Sequence, residues 1–130
     1  MANKTLVRTG APWETVVGYS RAVRVGNQVA VSGTAPVGDN GETVAIGDPY
    51  LQARRCIEII EKALIEAGAQ LSDVVRTRIF VTDISHWEAI GRAHGEAFAD
   101  IMPATAMVEV SGLIDPDMLV EIEADAVIDS

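Results

Sequence analysis

Leu119-Val120-Glu121-Ile122-Glu123-Ala124-Asp125-Ala126-Val127-Ile128 is the most sharply alternating run in this chain. Val120, Ile122, Ala124, Ala126 and Ile128 share one side by the two-residue period of a strand. Glu121, Glu123 and Asp125 share the other. Such a strand buries one face and leaves the other polar. It calls for helices over one side of a sheet only.

Working outward, residues 104–110 read as another strand. Ala104, Ala106, Val108 and Val110 lie on one face, and Thr105, Met107 and Glu109 on the other. Residues 74–81 form a strand in which β-branched residues alternate with Arg76 and Arg78. Before it comes a helix. Asp48 suits the cap and Pro49 the first helical position. Ala53, Ile57, Ile60, Leu64 and Ala67 recur at helical spacing, with Cys56, Ile59 and Ala63 widening the stripe. Gly68 ends it. A second helix opens at Ser85-His86-Trp87-Glu88, where Ser85 and Glu88 have capping-box spacing. Trp87, Ile90, His94, Ala97 and Phe98 mark its buried side. Residues 19–25 and 28–32 form a hairpin about Gly26-Asn27, and a short strand at 5–8 precedes it. The order predicts one α+β domain over 1–130, with a mainly antiparallel sheet and two helices packed on one face. The glycine-rich stretch 37–47 reads as a surface loop. The free sheet face is either solvated or covered by neighbouring subunits.

Composition narrows the function. Nineteen acidic against ten basic residues give a net charge of −9. Nucleic-acid affinity rests on Lys and Arg neutralising phosphates, so RNA or DNA is not expected as a partner. The lone cysteine, Cys56, excludes an intramolecular disulfide and reads as a buried thiol. No Cys/His spacing suggests a metal, and no cofactor is expected. Met1-Ala2-Asn3-Lys4-Thr5 carries no apolar signal core, and no apolar run is long enough for a membrane span. These absences make a cytoplasmic protein the expectation.

Several side chains have chemistry to offer. Glu121, Glu123 and Asp125, joined by Glu109 if its strand is adjacent, would crowd one face. Crowded or desolvated carboxylates act as acids and bases. A solvated acidic face accounts for the pattern as well, and more simply. Arg76 and Arg78 could grip a substrate carboxylate or pair with the acidic strand. Trp13 and Tyr19 could wall a pocket or fill the core. His94 sits on the apolar helix side and reads as a core histidine, while His86 lies at a helix start.

Several stretches together resemble the RidA (YjgF) family. They are Gly18-Tyr19-Ser20-Arg21-Ala22-Val23-Arg24-Val25-Gly26-Asn27 and Val29-Ala30-Val31-Ser32-Gly33. Leu71-Ser72-Asp73-Val74-Val75-Arg76-Thr77 and Phe80-Val81-Thr82-Asp83 follow, then Pro103-Ala104-Thr105-Ala106-Met107-Val108-Glu109-Val110 and Val120-Glu121-Ile122-Glu123-Ala124. The resemblance runs from about residue 19 to 127. It implies a chorismate-mutase-like fold, a homotrimer and small-molecule clefts between subunits. It also implies hydrolysis of imines or enamines derived from amino acids, with a glutamate activating water and an arginine holding the substrate carboxylate.

Glu121 matches that glutamate, Tyr19 the pocket tyrosine and Gly33 the pocket glycine. Thr105 stands where the arginine would be. Gly91 replaces the asparagine of the second helix, His94 its tyrosine, and Met107 a frequent cysteine. Losing a charge-assisted contact removes about 1.5–3 kcal/mol of interaction. A neutral or larger ligand would suit the altered pocket, unless Arg78 or Arg92 supplies the cation. Classical 2-imino acid deamination is therefore expected to be weak or absent. The alternative is a non-catalytic, metabolite-binding or chaperone-like trimer. A ribonuclease activity, also attached to this family, fits poorly with the charge.

Overall fold

The computed structural model describes residues 4–129. Met1–Asn3, within the N-terminal stretch read above, and Ser130, the end of the expected domain, lie outside the described residues.

The strands are β1 (Lys4–Val7), β2 (Ala22–Val25), β3 (Gln28–Thr34), β4 (Val74–Val81), β5 (Ala104–Glu109) and β6 (Val120–Val127). They form one mixed sheet in the order β1-β2-β3-β6-β4-β5. Only the β4–β5 pair is parallel. Three helices accompany them: α1 (Pro12–Val17), α2 (Pro49–Glu66) and α3 (Trp87–Phe98). The last strand in sequence lies at the centre, between β3 and β4. That position explains its sharp alternation: Val120, Ile122, Ala124 and Ala126 are buried, while Glu121, Glu123 and Asp125 between them are half-exposed. Ile60 and Leu64 of α2, Ile90 and Phe98 of α3, and Val31, Ile79 and Ile122 of the sheet belong to one core.

α2 forms as its sequence predicts. Asp48 accepts a hydrogen bond from Leu51 N–H at 3.0 Å. Gln52, unremarkable in the sequence, is fully buried within it. Its amide donates to Asp117 C=O at 2.9 Å and accepts from Leu119 N–H at 2.8 Å, tying the helix to the entrance of β6. The helix stops where Gly68 takes φ +86°, and Arg24 Nη1 donates to the Ala67 carbonyl beside it. Gly68→Ala is expected to cost about 1–2 kcal/mol, the penalty of a Cβ in the left-handed region. A urea midpoint equal to wild type would refute it.

Three expectations need correction. The helices number three, not two. α1 is only six residues long and leaves Trp13, Val16 and Val17 exposed, so it has no apolar stripe to announce it. Its buried residue is Glu14, whose carboxylate accepts from Arg8 Nε at 2.9 Å and from the Thr9 hydroxyl. Second, β2 begins at Ala22 rather than at residue 19, because Gly18 and Tyr19 donate their N–H groups back to Glu14 C=O. Third, the Ser85–Glu88 box does not open α3. Asp83 accepts from the Ser85 N–H and hydroxyl, a 3-10 turn (Ile84–His86) intervenes, and Trp87 is 57% exposed. No helix among the described residues is long and apolar enough to cross a membrane.

Candidate active site

Glu121 is the best-placed carboxylate. The strand period turns it away from the helices, toward the face that carries Arg78, Glu123 and Asp125. It packs over Gly33, where β3 bulges between Val31 and Thr34. A β-carbon at Gly33 would overlap Glu121 Oε2, so only glycine lets the carboxylate lie there. Gly33→Ala is therefore expected to displace the carboxylate and lower turnover by about tenfold without unfolding the chain. An unchanged rate would show that this close approach is unimportant.

Among the described residues Glu121 accepts no hydrogen bond and makes no ion pair within 4.0 Å. Burial raises its carboxyl above the ordinary range. The charge of Arg21 pulls it partly back, and Glu123 pushes it further up. A half-buried carboxylate whose pKa is raised in this way holds its proton more firmly than a solvated one and can both take and return it.

Arg21 is the residue that sequence reading passed over. It follows Tyr19 by two positions, the spacing that sets two residues on one side of an extended segment. Its Nη2 donates to Gly33 C=O at 2.5 Å, and the guanidinium carbon lies 5.8 Å from the centre of the Tyr19 ring. Tyr19 and Arg21 also line a groove of about 450 Å³ between α1, the loop at 37–41 and α2. Tyr19, Arg21, Gly33 and Glu121 thus form one continuous group.

The altered residues form another. Thr105 on β5 is in register with Thr77 on β4, and their hydroxyls are 2.8 Å apart. Thr77 Oγ1 is also 2.9 Å from His94 Nε2. His94 lies against Phe98 at 4.5 Å, and burial lowers its pKa, favouring the neutral imidazole. Met107 packs against the core, and Gly91 leaves open space above its Cα. As expected, Thr105, Met107 and Glu109 share a face, but it is the face toward α3, opposite to Glu121. Glu109 accepts from Ile84 N–H at 2.9 Å and does not join the acidic row. β4 also separates β5 from β6. The matched and altered residues therefore lie on opposite faces and two strands apart within one copy.

Of the two suggested substitute cations, Arg78 is paired and Arg92 stacks on an aromatic ring. Arg78 Nη1 lies 3.2 Å from both Glu123 and Asp125. Arg92 sits 4.4 Å over the ring of Tyr50. Cys56 is fully buried, and burial pushes its thiol well above the ordinary range, so it is no nucleophile. No group of three or more metal-ligating side chains occurs among the described residues.

The Endoribonuclease L-PSP family profile matches residues 9–128 of this chain. The chain belongs to the RidA (L-PSP/YjgF) family. One solved relative is Rv2704 of Mycobacterium tuberculosis, described as a member of the YjgF/YER057c/UK114 family. It superposes with a TM-score of 0.88 at 52% identity, over 97% of this chain and all of that one. An uncharacterized protein of Streptomyces coelicolor is 38% identical over 92% of this chain and 89% of its own length. The 3-aminoacrylate deaminase RutC of Acinetobacter baylyi is 35% identical over 97% of this chain and 98% of its own. The RidA-family match spans β2 to β6 and all three helices.

Proposed function

We propose that this RidA-family chain is a deaminase of a small imine or enamine, with Glu121 as its acid and base. The observation that carries the reading is the Glu121 carboxylate itself, half-buried over Gly33 and without a hydrogen-bond partner among the described residues. The relative named 3-aminoacrylate deaminase supports the same reaction class. An enamine first takes a proton from solvent on carbon and gives up one from nitrogen, becoming an imine. Glu121 then removes a proton from water as the oxygen adds to the imine carbon, and returns it to the nitrogen. The carbinolamine hydroxyl then passes its proton through Glu121 to the leaving nitrogen as the C–N bond breaks, giving ammonia and a carbonyl product.

The separation of Thr105, Met107 and Gly91 from Glu121 supports a site completed between copies. In this reading the protein is a cytoplasmic homotrimer with three clefts, each combining Tyr19, Gly33 and Glu121 with Gly91, Thr105 and Met107. Thr105 brings a hydroxyl rather than a charge, so 2-imino acids held from β5 turn over slowly. The change at Thr105 is also what favours the second reading, a trimer that binds a metabolite or unfolded chains without catalysis.

The test is to generate imino acids with an amino-acid oxidase, and 3-aminoacrylate in a parallel reaction, and to follow ammonia release. Acceleration of at least one, with 2-imino acids slow, is expected. No acceleration of any, by protein that light scattering finds trimeric, would favour the binding reading. A monomer would remove the inter-subunit cleft altogether. Competition by single-stranded RNA would be needed to revive a ribonuclease reading, which the net charge of −9 opposes.

A further inference from the structure

We infer that Arg21 is the anion-binding residue of this site, and that the ligand is a small monocarboxylate held from β2 rather than from β5. The inference rests on the reading of Glu121 given above. It begins with two opposite charges that flank one glycine yet do not pair. The Arg21 guanidinium donates to Gly33 C=O, and the Glu121 carboxylate lies over Gly33 Cα. Neighbouring Arg and Glu side chains frequently close to a bidentate contact. Here no contact within 4.0 Å forms. Glu121 keeps its acceptors open, and Arg21 uses Nη2 alone.

Arg21 has donors to spare. Its Nε is buried with no acceptor among the described residues, and Nη1 makes no hydrogen bond among them either. Buried donors are nearly always satisfied in folded proteins, so the open Nε marks a guanidinium whose hydrogen-bonding capacity the described residues leave partly unfilled. The Tyr19 ring, 5.8 Å away, gives the guanidinium a flat wall.

Three other arginines are committed. Arg24 donates to Gly26 and Ala67 carbonyls, Arg8 to Glu14, and Arg55 to Val37 C=O while facing Asp39 and Glu58. Of the arginines, Arg21 is the one whose charge bears directly on Glu121. The adjoining groove carries Glu14, Asp39 and Glu66 beside Arg55 and Lys62. That mixed lining disfavours a dianion and leaves room for a single carboxylate at Arg21. The cation absent from position 105 is thus supplied from the opposite wall, beside the carboxylate that does the chemistry.

The experiment compares 2-oxobutanoate with 2-oxobutanamide, neither of which can be deaminated as an imine. Binding is measured by NMR titration on wild type, Arg21→Gln and Arg21→Lys. Wild type is expected to bind the acid more tightly than the amide. Arg21→Gln should lose roughly tenfold or more for the acid and nothing for the amide, with partial recovery in Arg21→Lys. In turnover of a carboxylated enamine, KM should rise more than kcat falls. Equal loss for acid and amide would make Arg21 a support for Gly33 and overturn the inference. So would a wild type that prefers the amide or binds neither, an outcome that needs no variant to fold. Arg21-dependent acid binding without any deamination would sink the deaminase reading and leave this one standing. Deamination that needs Glu121 but not Arg21 would do the reverse.

Discussion

Glu121→Gln is expected to lower kcat for imine or enamine hydrolysis by roughly 10²-fold or more, the usual contribution of a positioned acid–base group. Glutamine keeps the shape and the approach to Gly33 but cannot carry the proton between water and nitrogen. The substitution leaves no hydrogen-bond partner orphaned, since Glu121 has none among the described residues, so the fold should be kept. Two measurements separate chemistry from structure. The first is kcat/KM against pH: wild type should show a limb above the ordinary glutamate range, and the variant should lack it. The second is melting temperature against pH. The folded-state pKa of Glu121 is raised by burial, despite the opposing charge of Arg21. Its contribution to stability is therefore complete below the unfolded-state value and is lost as pH rises through the folded one. The gap between the two melting curves should change in that window in favour of the glutamine variant. Full activity in the variant would remove Glu121 from the mechanism.

With the β2 contact removed by Arg21→Gln, Thr105→Arg is expected to raise kcat/KM for 2-imino acids roughly ten- to a hundredfold. That is the conversion of a charge-assisted contact of about 1.5–3 kcal/mol into rate. The position can accept the change. Thr105 is exposed on the edge strand, and its hydroxyl partner Thr77 retains His94 Nε2 at 2.9 Å. The lost Thr105–Thr77 contact costs about 1 kcal/mol of stability, typical of one neutral hydrogen bond. The gain should appear for carboxylated substrates and be absent for neutral ones. A variant that folds and assembles as wild type does, yet shows no gain, would mean that position 105 does not face the reacting molecule.

Much of the architecture was legible because its signals are periodic and local. The alternation of Val120, Glu121, Ile122 and Glu123 predicted a one-sided strand, and the Asp48–Pro49 start with its apolar stripe predicted α2. α1 escaped because six residues make fewer than two turns and its anchor is a buried glutamate rather than an apolar side chain. The opening of α3 was misplaced because Ser85 and Glu88 satisfy a spacing rule, while Asp83 reaches the Ser85 N–H first. For the candidate site, the resemblance singles out Glu121, Tyr19 and Gly33, and the structure places Glu121 against Gly33. Arg21 was visible only as a strand residue.

The amino-acid order alone was enough for the α+β class, for which face of the last strand is apolar, and for the absence of a cation at position 105. These follow from chemical identity and from periods of two and 3.6 residues along one segment. Tertiary structure alone decided that Glu121 lies over Gly33, that Glu109 turns away from the acidic row, and that Arg78 is spent on Glu123 and Asp125 while Arg21 is not. Each depends on which strands become neighbours, and strand order is settled by the packing of segments up to a hundred residues apart.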